Sequence, residues 1–158
     1  MTKKKEKNFS RIITENRKAF HDYYILERIE AGIVLKGTEI KSVRMNNVSL
    51  RDSYATIENG EVWLHNANIA PYPHGNRFNH DPLRDKKLLL NKKEIKRLIG
   101  KVQEKGLTLI ALKMYWVKDW AKVELALAKG KKEYDKRDSI VEKEQKRKIE
   151  RIMKQYIQ

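Results

Sequence analysis

His74 and His80 flank a turn-rich loop holding Pro73, Gly75 and Pro82, with Asp81 and Asp85 just beyond. Imidazoles so placed are potential metal ligands, and two carboxylates four residues apart are a potential acid–base pair. Neither chemistry is well served. The four histidines (His21, His65, His74, His80) form no HxxxH or HExxH arrangement. Arg84, Lys86 and Lys87 beside the carboxylates hold both ionised, unlike a poised donor and acceptor. Gly130-Lys131 has the ending of a phosphate-binding loop, but Leu125 and Lys132 stand where that loop needs Gly and Ser/Thr. No Ser or Thr has an evident base partner. Thiol chemistry, disulfides and thiolate metal sites are excluded because the chain has no cysteine. The expectation is a protein that is not an enzyme, with no metal and no cofactor.

Binding chemistry is better represented. Asn16-Arg17-Lys18-Ala19-Phe20-His21-Asp22-Tyr23 mixes cations, an amide and aromatic rings. Arginine pairs with phosphate bidentately and lies flat on a base, while His and Tyr stack. Phe20 and Tyr23 serve equally well as rings tucked into a core, and composition does not choose between these uses. Glu30, inside a strand pattern beside Gly32, is either a solvated carboxylate or an acceptor for a base amine or a neighbouring Arg.

The whole chain favours a polyanionic partner. Its 158 residues carry 36 Lys+Arg against 21 Asp+Glu, a formal charge of +15, far above the ~2–8 usual for small soluble domains. The length allows one compact domain. No apolar run approaches the ~20 residues of a membrane helix, and the basic start has no apolar segment behind it, so the expected compartment is the cytoplasm, with no membrane partner.

Three zones position these groups. Residues 1–18, with a net charge of +5 and few large apolar groups, read as a basic arm ordered late or on binding. Residues 19–128 hold the regular apolar patterning. Residues 129–158 have 11 Lys/Arg, 6 Asp/Glu and too few apolar groups to fold alone.

In the central zone, residues 23–30 read as a strand, with Gly32 marking a bulge or a close backbone approach and 33–35 continuing the strand. Residues 53–58 and 61–64 read as a hairpin about Asn59-Gly60, the pair that supplies the two positive-φ positions of a type I′ turn. Residues 87–90 suggest a short buried strand or a helix start. Residues 109–117 and 121–127 suggest a hairpin about Lys118-Asp119, with Val123, Leu125 and Leu127 inward and Lys122, Glu124 and Ala126 outward. Thr38 is placed to cap a helix through Arg44, with Asn46 left-handed after it. Asn91 and Glu94 have capping-box spacing before Ile95, Leu98, Ile99 and Val102, and Gly106 ends that helix. The loop 66–85 is long enough to be functional or mobile. Short strands with helices among them predict a mainly β fold: a small antiparallel barrel with flanking helices.

In the tail, Ile149, Ile152, Met153 and Tyr156 recur at helical spacing on a strongly basic segment. Such a helix either docks on its own barrel or is disordered when free and folds in a polyanionic groove.

Asn16-Arg17-Lys18-Ala19, Glu30-Ala31-Gly32, Gly37-Thr38-Glu39-Ile40-Lys41-Ser42, Lys87-Leu88-Leu89-Leu90-Asn91 and Lys129-Gly130-Lys131-Lys132 with Asp135-Lys136-Arg137 occur in an order and spacing that resembles the SsrA-binding protein (SmpB) family of bacterial trans-translation. The resemblance runs from about residue 10 to the end. It implies an oligonucleotide-binding-like (OB-like) barrel, monomeric when free, that binds the tRNA-like domain of transfer-messenger RNA and carries it to stalled ribosomes. It implies RNA-binding positions at Asn16, Arg17, Lys18, His21, Glu30, Lys41, Arg44, Leu89, Gly130, Lys131 and Lys132. It also implies a tail that turns helical in the mRNA channel beside the small-subunit decoding centre, with Tyr134, Asp135, Lys136, Arg137, Ile152 and Met153 facing the ribosome. Relatives often have His where Tyr134 stands and Gly where Asn46 stands; a tyrosine still stacks but does not titrate near neutrality. Two other classes compete: a structural ribosomal protein anchored by both basic ends, and an RNA-cleaving or RNA-modifying enzyme.

Overall fold

The computed structural model describes residues 11–104 and 106–157, apart from the side chains of Asn76, Tyr156 and Ile157. Its frame is a ring of antiparallel strands. In spatial order these are β8 (Leu107–Val117), β4 (Tyr54–Glu58), β5 (Glu61–His65), β7 (Lys86–Leu89), β2 (Tyr23–Ile33) and β9 (Trp120–Gly130), and β9 pairs back onto β8 to close the barrel. A short strand β1 (Arg11–Glu15) lies along β8 at Lys113–Trp116, next to the stretch of β8 that pairs with β4. Val48–Ser49 (β3) and Asn68–Ile69 (β6) form a separate two-stranded ladder. Four α-helices are added among the described residues: α1 (Arg17–Asp22), α2 (Gly37–Arg44), α3 (Lys92–Val102) and α4 (Glu133–Ile157). No helix among the described residues is long and apolar enough to cross a membrane.

Local chemistry accounts for most of these elements. Asn59 and Gly60 both adopt positive φ (50° and 75°), and β4 pairs with β5 from Tyr54↔His65 to Glu58↔Glu61. Asn46 is left-handed (φ 59°) just past α2. Gly32 is the close approach: a Cβ there would sit 3.2 Å from the Leu89 Cβ. The bulge falls instead between Ile25 and Glu27. Leu98 of α3 is fully buried, and Ile95 and Val102 pack on the main core, the face set by the i, i+3, i+7 spacing.

Several expectations are corrected. Within the stretch read as a basic arm ordered late or on binding, residues 11–15 form strand β1 and Arg17 and Lys18 begin α1; Lys3, Lys4, Lys5 and Lys7 lie outside the described residues. Thr38 does not cap α2. Lys36 stands at that position, its N–H donating to Glu39 Oε1 at 2.7 Å. Asn91 precedes α3 without a side-chain cap bond. Glu124 and Ala126 lie on the face of β9 opposite Val123, Leu125 and Leu127, as expected, but are buried. Ala126 and Ala128 join Ala19, Ile110 and Leu112 in a second small core beneath α1, so this part of β9 is covered on both faces and its outward side chains are not solvated.

The loop 66–85 is pinned to α2. Glu39, fully buried, receives two bonds from the Arg84 guanidinium (2.6 and 3.2 Å). Lys86, also fully buried, donates to the carbonyls of Ala67 (2.7 Å), Arg84 (2.8 Å) and Pro82 (3.4 Å). His80 Nε2 donates to the Ile69 carbonyl at 2.8 Å, leaving Nδ1 to accept the Thr38 hydroxyl at 2.9 Å. Both ring nitrogens are thus engaged in structure. Asp81 Oδ1 accepts the Leu83 N–H, and Asp85 Oδ1 accepts from His65 Nδ1, so the two carboxylates do not act as a pair. Among the described residues no group of three or more His, Asp or Glu is placed to hold a metal.

Candidate nucleic-acid interface

The expected site residues fall in two patches. The first surrounds α1, the end of β9 and the start of α4. Asn16 precedes α1 and is buried, its Nδ2 donating to the carbonyls of Leu50 (3.1 Å) and Ala111 (3.0 Å). That ties α1 to β8 and turns Arg17 outward, its side chain 90% exposed. Asn16, expected as an RNA contact, therefore acts from inside the fold. Lys18 Nζ lies 3.0 Å from Asp52 and 4.0 Å from Asp22 on the rim of a hollow of about 240 Å3 floored by Ala19, Tyr54 and Ile110. His21 Nδ1 bonds Asp22 Oδ1 at 2.9 Å. That bond, opposed by partial burial and helped by Lys136 and Lys18, holds the Asp22 carboxyl below its ordinary value.

Gly130, the last residue of β9, pairs with Tyr23. Lys131 Nζ sits 5.1 Å over the Tyr24 ring and Lys132 Nζ 5.9 Å over Tyr134, which is exposed. Arg28 likewise lies over the exposed ring of Phe20. Phe20 is thus a surface ring, while Tyr23 packs on the second core. Cations seated on exposed rings offer both halves of nucleotide recognition, charge for the phosphate and a face for the base.

The second patch lies where α2 meets the β8–β9 turn. Arg44 opens on a hollow of about 370 Å3 with Leu35, Leu89, Trp116, Trp120 and Lys122, and on an adjoining one of about 350 Å3 with Arg11, Lys118 and Asp119. Leu89 and Lys122 also border a third, of about 440 Å3, with Glu30, Asn91 and Glu94. Glu30 accepts the Tyr115 hydroxyl at 2.6 Å. Burial, reinforced by Glu30, drives that hydroxyl's pKa up, so it remains a donor. Glu30, Arg44 and Leu89 are thus brought together. Lys41 is not with them; it sits over Tyr72 of the pinned loop, 5.1 Å from the ring centroid.

Sequence reasoning passed over Trp116, Trp120, Lys118, Lys122 and Arg11. Trp120 is 72% exposed, costly for so large an apolar surface unless a partner covers it. Two tryptophans bracketing a two-residue turn in a chain of charge +15 were the available signal.

The tail leaves the first patch as one helix, α4. Asp135, Lys136 and Ser139 face the barrel, whereas Tyr134 and Arg137 face outward. From Ile140 to Gln155 every described side chain is exposed, Ile149, Ile152 and Met153 among them. The side chain of Tyr156, the last member of the expected stripe, lies outside the described residues.

A family model described as SmpB protein matches residues 13–155. An SsrA-binding protein of Carboxydothermus hydrogenoformans is 60% identical over 144 residues, covering 91% of this chain and 97% of that protein. One from Caldicellulosiruptor bescii is 57% identical over 99% of both chains. A solved structure described as "tmRNA-SmpB: a journey to the center of the bacterial ribosome" superposes with a TM-score of 0.66 at 51% identity, covering 80% of this chain and 93% of that one.

Proposed function

The chain belongs to the SmpB family, the SsrA-binding proteins, and on that footing we propose that it is a non-catalytic RNA adaptor: it binds the tRNA-like domain of transfer-messenger RNA and delivers it to stalled ribosomes, where the nascent peptide is tagged. The observation that carries this reading is the joining of a barrel bearing cation–aromatic surfaces to a basic helix whose residues 140–155 are all exposed. The first element suits a folded RNA and the second suits another polyanionic surface.

Charge supplies attraction and speed, since each duplex phosphate neutralised adds up to about −0.9 to the log–log salt slope. Choice of one RNA comes from shape and unpaired bases, because an RNA duplex hides its base edges in a deep, narrow groove. Arg17, Lys18, His21, Lys131 and Lys132 on one patch, with Glu30, Arg44, Leu89 and the tryptophans on the other, are the residues we assign to RNA. Gly130 borders the first of these surfaces, whereas Lys41, seated over Tyr72, lies apart from both. Tyr134, Asp135, Lys136, Arg137, Ile152 and Met153 are assigned to the ribosome-facing tail.

Residues 140–157 are disordered in the free chain on this reading. A helix with no packed face has only intrinsic propensity to hold it, and its coil alternative gains entropy. In the mRNA channel, phosphates on all sides neutralise the tail's cations and the helix forms.

Recovery of the bound partners from cells tests the reading. An adaptor captures chiefly one stable RNA and only stalled ribosomes. Stoichiometric presence in every small or large subunit points instead to a structural ribosomal protein, and turnover of labelled RNA by the pure protein points to an enzyme.

A further inference from the structure

The junction between barrel and tail is a built contact. The Lys131 N–H donates to the Asp22 carbonyl at 2.8 Å, which fixes the chain as it leaves β9. One helical turn on, Lys136 Nζ lies 3.5 Å from the Asp22 carboxylate, both side chains about one-quarter exposed. The Tyr24 ring lies under Lys131, and partial burial together with the nearby Asp135 carboxylate raises its hydroxyl's pKa. Lys131 Nζ, while over the Tyr24 ring, donates to the Phe20 carbonyl (3.3 Å) and to Ser139 Oγ (3.1 Å). Contacts from α1 and β2 therefore hold one face of residues 131–139, and they stop there: beyond Ser139 the helix is exposed on every side.

We propose that Asp22 and Tyr24 are positioning residues for the tail, seating the first turn and a half of α4 on the barrel and so setting the direction in which the rest projects. The proposal rests on the reading of the tail as the ribosome-facing element. A long segment attached by a free joint would sample a wide solid angle and pay for its alignment on binding; a seated base removes part of that cost before the particle is met. Two of the three residues in the Asp135-Lys136-Arg137 run face this seat. Substituting Asp135 or Lys136 therefore disturbs the aim of the helix as well as whatever those side chains touch outside it.

The body side of the seat can be altered with the tail sequence intact. The full-length chain is compared with Asp22→Asn, Tyr24→Phe, the double variant and Asp22→Glu, by amide hydrogen exchange, RNA titration and peptide tagging on stalled ribosomes. In the parent chain, protection covers residues 136–139, the first amides of α4 with helical partners, and is absent beyond 140. Exposed ion pairs and single hydrogen bonds predict that the double variant loses about three- to tenfold of that protection. Tagging measured with the tRNA-like RNA saturating falls by a similar factor, and Asp22→Glu restores both losses. Tyr24→Phe removes one hydroxyl from an exposed ring and leaves the barrel folded, so it reads the seat even if the Asp22 variants unfold. Unchanged protection in these variants overturns the seat. Lost protection with undiminished tagging overturns its positioning role. Tagging that returns to the parent level once the RNA is saturating overturns it as well. Failure of the parent reading looks different: removal of the whole tail would then leave tagging intact.

Discussion

Asn16→Ala separates a direct RNA contact from a hidden support. The side chain is 5% exposed, and both amide hydrogens are used, on Leu50 O and Ala111 O. Each bond contributes a net ~0.5–1.5 kcal/mol. The Leu50 carbonyl keeps two other donors after truncation, Ser53 Oγ at 2.6 Å and Ser53 N–H at 3.0 Å, so the penalty for orphaned acceptors is small. The loss is therefore about 2–3 kcal/mol, the upper end including a small cavity. At roughly 2–4 °C per kcal/mol for a chain of this length, thermal unfolding followed by circular dichroism should fall by about 5–10 °C. Arg17 and Lys18 remain on the surface while the variant is folded. RNA titrations well below its transition should then give an affinity within about threefold of the parent and the same salt slope. Wild-type thermal stability combined with RNA binding more than about tenfold weaker would refute the reasoning, since Asn16 would then be touching RNA itself.

Arg17→Ala with Lys18→Ala should flatten the log–log salt dependence of RNA binding by up to about two phosphate contacts; an unchanged slope would take these cations off the RNA. The Glu39–Arg84 pair should show in acid. Burial raises the Glu39 carboxyl, but the Arg84 hydrogen bonds and charge, the Lys36 N–H and nearby Lys86 outweigh it, and the folded value lies below 4.5. A depressed folded value means that the stabilisation is fully present above about 4.5 and is lost as pH falls through the lower, folded one. Glu39→Gln should cost roughly 3–5 kcal/mol near neutrality, by stranding a buried charge, and should unfold with a shallower pH dependence below 4.5. A variant as stable as the parent at pH 7 would contradict the role given to this pair.

The parts of this fold legible in sequence were those written in local chemistry. Asn59-Gly60 needs two positive-φ positions and finds them in its hairpin, and Leu98 faces the core because its neighbours repeat at helical spacing. What escaped depends on contacts between distant segments. Glu39, Arg84 and Lys86 look like solvated charges until α2 and the 66–85 loop meet. Ile12 and Thr14 become a strand only because β8 has a vacant edge beside β4. Ala126 is buried because α1 folds over the strand that carries it, and Glu124 is reached by Arg28 and Lys113 from the two neighbouring strands. The same division runs through the candidate site. Arg17, Lys18 and the Lys131-Lys132 pair stand out as a cationic run beside aromatic rings. The hollow between Arg44, Trp116 and Trp120 joins residues more than seventy positions apart, and no local pattern announces it.

The division of labour between barrel and tail is tested most directly by truncating the chain after Lys132 and measuring two quantities on one preparation: affinity for the tRNA-like RNA and peptide tagging on stalled ribosomes. Affinity within a few-fold of the full chain with tagging abolished is the predicted result. Equal loss of both, or tagging that persists without the tail, would contradict it.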